Sequence, residues 1–296
     1  MKRTFKHILL SSSIALASIS ILSSPSNTSA APTINIQSIL QQERAWAGMQ
    51  TKRVKVGDIE WAYSEGGTKG KPVIMLIHGL AGSRDNWNRV ARYLTPHYQV
   101  IIPDLPGQGD SKAPNDFDYS IPNLTEKIRR FAEAIQVEKD LHIAGHSMGG
   151  AISLLYAAQY PIDAKSLFLV NSAGVFKSAN TPYLKDPNLL RNFVVAKPGD
   201  FDRLFKIAAQ LPPFIPNELK VEQEKLMISN AANTSKLIEQ LILMSKSFTP
   251  DTFAIAARSI DQPTLIVWGD KDQIINVEAA SELKGLFKNA KERITF

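Results

Sequence analysis

Residues 141–159 read "LHIAGHSMGGAISLLYAAQ" and set one serine, Ser147, among closely spaced glycines. The stretch begins as an apolar run of strand length and continues as a longer segment with the composition of a buried helix. The serine is therefore predicted to lie at a sharp turn from strand to helix. Bulky neighbours would clash at such a turn, and Gly145 and Gly149 leave the room that it needs.

Similar apolar runs recur along the chain and alternate with segments of helical spacing. They resemble strands buried on both faces of a sheet, and they cover 71–79, 99–107, 166–174 and 263–269. This alternation predicts an α/β fold with a mostly parallel, doubly wound sheet. Before it, a helical lead-in and a hairpin around "GD" are predicted. A capping box of Asn123 and Glu126 predicts the start of an amphipathic helix.

Two parts of the chain depart from this alternation. Residues 1–30 run from a basic start through an apolar stretch to small residues, which predicts a secretory signal peptide cut after Ala30. The alternative is a retained anchoring segment. Residues 175–260 are helical or irregular and exceed the about thirty residues of a plain crossover. They are predicted to form a helical cap on a core made of 31–174 and 261–296.

Charge and cysteine content exclude several classes of function. The formal net charge is +6, and three of the cations, Lys2, Arg3 and Lys6, belong to the predicted leader. The +3 that remains is spread over a long chain and does not favour nucleic acid as a partner. The sequence has no cysteine, so disulfides and thiolate metal sites are excluded. No stable membrane anchor is expected after cleavage, and the predicted location is secreted or periplasmic.

The serine has the context of a nucleophile elbow, which is the pattern Gly-x-Ser-x-Gly at a strand-to-helix turn. The N-terminus of the following helix directs free N–H groups at the serine, so the Met148 N–H can donate to an oxyanion. The loop "HGLAGS" follows another buried strand and can place the Leu80 N–H beside it. Two such donors form an oxyanion hole for acyl transfer.

Carboxylates and histidines are the candidates for the rest of a catalytic site. "WGDKDQI" offers Asp270 and Asp272 at the end of a buried strand, where an open parallel sheet collects its functional groups. A turn or a helix cap is the alternative role for each. His78 is expected to shape its loop through backbone hydrogen bonds. The side chain of His146 is expected to diverge from that of its neighbour Ser147.

The elbow "GHSMGG", the loop "HGLAGSRDNW", "PDLPGQGDS" and "VWGDKDQI" occur in an order that resembles the α/β-hydrolase superfamily. Within it, the chain resembles secreted bacterial lipases and carboxylesterases of the lipase family V type. The resemblance implies a Ser147 nucleophile and an Asp272 acid, with no metal or organic cofactor. The oxyanion hole would be formed by the amides of Leu80 and Met148. Some members carry the acid after the preceding strand, where this chain has Asn171, so Asp272 is favoured.

The triad of this superfamily ends with a histidine that follows the acid in the chain. This sequence has five histidines and the last is His146, so none follows Asp272. Two interpretations remain: a C-terminally incomplete hydrolase, or a non-catalytic relative that binds hydrophobic small molecules. The elbow, both donor loops and the acid are retained, which favours the first.

The expected function is exported serine ester hydrolysis on small-molecule or lipid esters, through an acyl-enzyme and impaired here by the missing histidine. A capped C–C bond hydrolase and an arylesterase remain alternatives, because one site serves several chemistries. Apolar side chains in the cap predict an apolar acyl group, although core packing is the alternative role for each. They are Phe193, Phe201, Phe205, Phe214, Met227 and Met244.

Overall fold

The computed structural model describes residues 35–177, 181–208 and 215–295, so the predicted leader and Phe214 lie outside the described residues. The strands in these ranges are β1 (Met49–Val56), β2 (Ile59–Gly66), β3 (Val73–Ile77), β4 (Gln99–Pro103), β5 (Leu141–His146), β6 (Ala164–Val170), β7 (Thr264–Gly269) and β8 (Ala290–Thr295). The helices are α1 (Ile36–Trp46), α2 (Asn88–Leu94), α3 (Ile121–Ala134), α4 (Met148–Gln159), α5 (Pro182–Lys185), α6 (Asp200–Ala208), α7 (Asn217–Ser229), α8 (Ala231–Ser245), α9 (Pro250–Arg258) and α10 (Glu278–Leu286). None of the helices in the described ranges has the length and hydropathy that crossing a bilayer requires.

The eight strands of the described ranges join one sheet in the order β1-β2-β4-β3-β5-β6-β7-β8. β2 pairs antiparallel with both β1 and β4, and the other pairs are parallel. The predicted hairpin is present, with Gly57 and Asp58 between β1 and β2. The predicted α/β fold with a mostly parallel, doubly wound sheet is therefore confirmed.

Helices pack on both faces of the sheet, because side chains in a strand point alternately to its two faces. In β3, Leu76 belongs to the apolar cluster that contains Ala91 of α2. The next residue, Ile77, points to the opposite face and belongs to a second apolar cluster, which contains Ile152 of α4. The loops after the adjacent strands β3 and β5 thus lead to helices on opposite faces. This arrangement opens a crevice at the carboxyl ends of the two strands, and Ser147 lies there.

The start of α3 differs from the prediction. The helix begins at Ile121, and its cap is Ser120, whose side chain accepts the N–H of Asn123 at 3.4 Å. Asn123 is already inside the helix, so the predicted capping box with Glu126 is wrong. Pro122 explains the earlier start, because proline fits the first helical turn, where its missing N–H removes no hydrogen bond.

The proposed cap, residues 175–260, contains helices that pack in two groups. Leu237 of α8 and Phe253 of α9 are buried in the same cluster as the sheet and α4. Phe201 of α6 and Leu219 of α7 instead belong to a separate apolar cluster, which also contains Leu40 of α1. The part of the cap formed by α6 and α7 therefore packs against α1.

Candidate active site

Ser147 occupies a strained turn between β5 and α4. Its φ of 53° and ψ of −121° form a combination that non-glycine residues rarely adopt. Its N–H donates to the carbonyl of Val170 at 3.1 Å, and its own carbonyl accepts from Gly150 at 2.8 Å and Ala173 at 2.9 Å. Backbone strain that the surroundings hold in this way is common at functional sites.

The glycines beside Ser147 are explained by close backbone contacts. A Cβ atom on Gly145 would collide with the carbonyl oxygen of Gly149. A Cβ atom on Gly149 would collide with the carbonyl oxygens of Ile77 and His78, at the end of β3. The turn that carries the serine is therefore packed directly against the strand that leads into the "HGLAGS" loop.

This loop also approaches the serine. A Cβ atom on Gly79 would lie 3.1 Å from the Cβ atom of Ser147, so the two loops are nearly in contact. Within the described ranges, no residue accepts a hydrogen bond from the N–H of Leu80 or Met148. Met148 is the first residue of α4, where N–H groups have no partner inside the helix. Both N–H groups are therefore free to bind an oxygen of a substrate.

His78 is fully buried, and both of its ring nitrogens bind backbone groups. The N–H of Leu105 donates to Nε2 at 2.9 Å, so the proton lies on Nδ1, which donates to the carbonyl of Gly79 at 2.8 Å. Burial lowers the pKa of His78 to about 4, so the ring is neutral at pH 7. His78 shapes its loop, as predicted, and neither nitrogen is free to accept the serine proton.

The other histidines of the described residues are no better placed to act as a base. Burial lowers the pKa of His146 to about 4, and no carboxylate near it opposes this effect. His142 binds the hydroxyl of Ser166 at 2.7 Å, and His97 is exposed. Among the residues that the structure describes, no histidine forms an ion pair with an acid, as the base of a triad does.

Asp272 has the firmly held carboxylate that a triad acid requires. Its Oδ2 accepts from Asn171 Nδ2 at 2.5 Å, and its Oδ1 accepts the N–H groups of Ile274 at 2.8 Å and Ile275 at 2.9 Å. Burial raises the pKa of Asp272 above the ordinary aspartate value, and the three donors oppose that rise. Asp270 differs, because only its backbone N–H is bonded within the described ranges.

Comparison with known proteins identifies the family of this chain. A family model of the alpha/beta hydrolase fold matches residues 72–296. The chain belongs to the α/β-hydrolase family. This hydrolase is 34% identical to Lipase 1 of Psychrobacter immobilis, over 93% of its own length and 86% of the length of that protein.

Two solved structures resemble this hydrolase over most of its length. The crystal structure of a candidate lipase, lip1, from Acinetobacter baumannii AYE is 59% identical, with 90% of each chain covered and a TM-score of 0.88. A bacterial membrane phospholipase A is 35% identical, with 88% of this chain and 82% of that chain covered and a TM-score of 0.81. Proteins named as lipid ester hydrolases are thus among the relatives of this chain.

A cavity of about 340 Å³ in the hydrolase brings Ser147, Asp272 and Leu80 together in one lining. This volume falls in the range of small-molecule sites, about 300–1,000 Å³. The part of its apolar lining that comes from α1 and the cap includes Leu40, Phe193, Val195, Leu204, Leu226 and Met227. Within the described residues, no group of three histidines, aspartates or glutamates could hold a metal ion.

Some of the cap residues that were predicted to hold an acyl group line the cavity, and others lie elsewhere in the cap. Phe193 and Met227 line the cavity. Phe201 and Phe205 stack on each other with ring centroids 5.6 Å apart, in the cluster shared by α1 and the cap. Met244 is outside the cavity lining.

The contribution of α1 to the cavity was missed by sequence reasoning. Leu40 and Arg44 line the cavity, although their segment was predicted only as a helical lead-in. Arg44 fastens the helix by two hydrogen bonds of 2.7 Å, from Nε and Nη2 to the carboxylate of Asp85. Leu40 and Arg44 lie one helical turn apart, and this spacing was the available signal that they share a face.

Proposed function

We propose that this hydrolase cleaves carboxylic esters through an acyl-enzyme formed on Ser147. The observation that carries the proposal is the strained elbow at Ser147, which shares one cavity with the free N–H of Leu80 and the firmly held carboxylate of Asp272. The relatives named as lipases and a phospholipase support an ester as the substrate.

In the proposed reaction, Ser147 Oγ attacks the ester carbonyl carbon and its proton passes to a base. The carbonyl oxygen becomes an oxyanion, which the N–H groups of Leu80 and Met148 stabilise. The tetrahedral intermediate then collapses, the bond to the alkoxy group breaks, and the alcohol leaves with that proton. Water attacks the acyl-enzyme by the same route and releases the acid. Asp272 orients the base and stabilises its protonated form.

The general base is the part that the described residues do not supply. His78 is fully committed to backbone, and no histidine follows Asp272 in this sequence. We infer that the chain as given is impaired, because a triad that lacks one member retains only about 10³–10⁴-fold catalysis over water. A small base such as imidazole should restore part of the lost rate.

The proposed substrate has an apolar acyl group. The cavity lining contributed by Leu40, Phe193 and Met227 is apolar, and burying each methylene against such a wall is worth about 0.8 kcal/mol. The polar end, near Ser147 and Asp272, suits the ester and its leaving group. A small-molecule or lipid ester fits this cavity when its acyl chain lies against the apolar lining under the cap and its ester group lies at the polar end.

Export is part of the proposal and is supported by the order of basic, apolar and small residues in 1–30. Expression in a bacterial host followed by mass spectrometry of the mature protein tests it. A mature protein that starts at Ala31 supports a secreted or periplasmic enzyme. A protein that keeps residues 1–30 and sediments with membranes favours the retained anchor.

The reaction itself is tested with an alkyl fluorophosphonate and with p-nitrophenyl butyrate. Mass spectrometry should find the phosphonyl adduct on Ser147, and imidazole should accelerate both labelling and ester hydrolysis beyond its own background rate. Ser147→Ala should abolish both effects. An adduct on another residue refutes the assignment of the nucleophile. Tight binding of apolar ligands without any labelling favours the non-catalytic alternative.

A further inference from the structure

Two loops meet beside the elbow and are fastened to each other at three places. The oxyanion loop, residues 78–84, follows β3, and the β4 loop, residues 104–111, follows β4. The N–H of Leu105 donates to His78, and Arg84 forms ion pairs with both Asp104 and Asp110. The third contact lies between these two, in the middle of the oxyanion loop.

At this middle contact, the N–H of Ala81 donates to Gln108 Oε1 at 3.1 Å. Ala81 has a φ of 56°, in the left-handed region that non-glycine residues seldom occupy. The residue next to it, Leu80, carries the free N–H of the proposed oxyanion hole. The Ala81 N–H belongs to the peptide group that joins Leu80 to Ala81. A side chain that fixes its direction therefore also restricts the preceding peptide group, which carries the Leu80 N–H.

The orientation of the Gln108 amide follows from chemistry. The Ala81 N–H can only donate, so the amide oxygen must face it and Nε2 must point away. Nε2 is buried and has no partner within the described residues, and the side chain is almost inaccessible to solvent, at 4% exposure of the residue. A buried donor without a partner destabilises the folded state, because it loses its hydrogen bonds to water. The fold tolerates this cost at a position where only the oxygen is used.

We propose that Gln108 is a positioning residue for the oxyanion hole, which holds the Ala81 peptide so that the Leu80 N–H faces the reacting oxygen. Gln108 lines the same cavity as Ser147. It acts through the loop and not on the substrate, because its own donor is buried. The inference rests on the proposed ester hydrolysis at Ser147.

The test uses Gln108→Met, which preserves length and removes the acceptor for Ala81. Labelling by an alkyl fluorophosphonate forms the bond between Ser147 Oγ and phosphorus, expels fluoride and releases the hydroxyl proton to the buffer. The saturating rate, kinact, should fall about 10- to 100-fold, since a misplacement of about 1 Å can cost that much. The reversible constant, KI, should change less than about twofold, because the apolar contacts remain.

Two further variants separate positioning from general destabilisation. Gln108→Glu keeps an accepting oxygen, and while its buried carboxyl is protonated it adds no charge, so relative to the unaltered chain at the same pH it should retain most of kinact at acidic pH and lose it as the carboxyl ionises. Gln240 offers the matched control, because its Oε1 accepts a backbone N–H from Tyr119 at 2.5 Å and it lies outside the cavity lining. Gln240→Met should leave kinact unchanged. Thermal unfolding of each variant verifies that it is folded.

Three outcomes overturn the inference. If the unaltered chain is labelled at Ser147 and Gln108→Met keeps the same kinact, Gln108 has no positioning role. If Gln240→Met lowers kinact as much, the effect is general loss of stability. If the unaltered chain is not labelled even with imidazole, the proposed function fails and this inference fails with it. Should Gln108→Met not fold, Gln108→Asn, whose shorter amide falls short of Ala81, carries the same test.

Discussion

Asn171 and Asp272, which follow the neighbouring strands β6 and β7, are joined by a hydrogen bond of 2.5 Å from Asn171 Nδ2 to Asp272 Oδ2. The register of the two parallel strands brings their carboxyl ends together, and the N–H of Asn171 also donates to Val267 of β7. A hydrogen bond to a carboxylate favours its charged form. Asn171 thus opposes the rise in pKa that burial imposes on Asp272.

Asn171→Gly tests this relationship. Asn171 has a φ of 44°, which glycine adopts without strain, so the variant should fold and lose only the amide. A hydrogen bond to a charged group contributes about 1.5–3 kcal/mol, so the imidazole-supported rate of ester hydrolysis should fall by roughly one to two orders of magnitude. The measurement is this rate as a function of imidazole concentration. An unchanged curve would show that Asp272 does not depend on Asn171.

Asp272 and Asp270 should differ sharply in their effect on catalysis. Asp272→Asn removes the charge that stabilises a protonated base, and such changes lower kcat by about 10⁴ in complete triads. Asp270→Asn should change the imidazole-supported rate less than about threefold, because no described residue donates to its side chain. Steady-state rates of both variants at equal imidazole make the comparison. The reverse ranking would refute Asp272 as the acid.

The sheet and the elbow were predictable because their signals are local. Each buried strand is a continuous apolar run, and the glycines around Ser147 are required by contacts within a few residues of the turn and with the end of β3. The role of α1 was not predictable in the same way. Leu40 shares an apolar cluster with Phe201 of the cap. Periodicity indicates which side chains of each helix share a face, but it does not indicate that two faces so far apart in the sequence pack together. The sequence pattern was sufficient to propose the N–H groups of Leu80 and Met148 as donors, whereas the contact of Gln108 with the loop of Leu80 joins distant residues and leaves no local pattern.

The buried His78 and the half-buried His146 should each weaken the fold in mild acid. The pKa values of His78 and His146 fall to about 4 in the folded protein, against an ordinary value of 6.5. Between these values the unfolded chain binds protons that the folded protein does not. Each histidine should therefore lower the free energy of unfolding as pH falls below 6.5, by up to about 1.4 kcal/mol per pH unit, while Asp104, whose pKa burial raises to about 6, opposes this decrease below that pH.

Urea unfolding at pH 7, 6 and 5 measures this dependence. His146→Gln should make the decrease shallower by up to about 1.4 kcal/mol per pH unit, because it removes one of the two histidines and leaves His78 bonded to backbone. His97→Gln is the control, since His97 is exposed. If His146→Gln leaves the slope as steep as in the unaltered protein, His146 does not stay neutral in the fold.

The acyl preference should depend on Leu40 of α1. Each methylene buried in the cavity contributes about 0.8 kcal/mol, which is roughly fourfold in kcat/KM. Over p-nitrophenyl esters from acetate to decanoate, with imidazole present and its background subtracted, kcat/KM should rise until the cavity is full. Leu40→Ala enlarges the cavity, so the maximum should move to longer acyl chains.

Ile36→Ala is the matched control for this prediction. Ile36 lies one turn before Leu40 on α1 and is buried in the same cluster, but it is outside the cavity lining. Both substitutions should cost about 2–5 kcal/mol of stability, and only Leu40→Ala should change the chain-length profile. A flat profile in the unaltered protein would count against an acyl site in this cavity. An equal shift in both variants would mean that loosening of the cap, and not the Leu40 side chain, sets the preference.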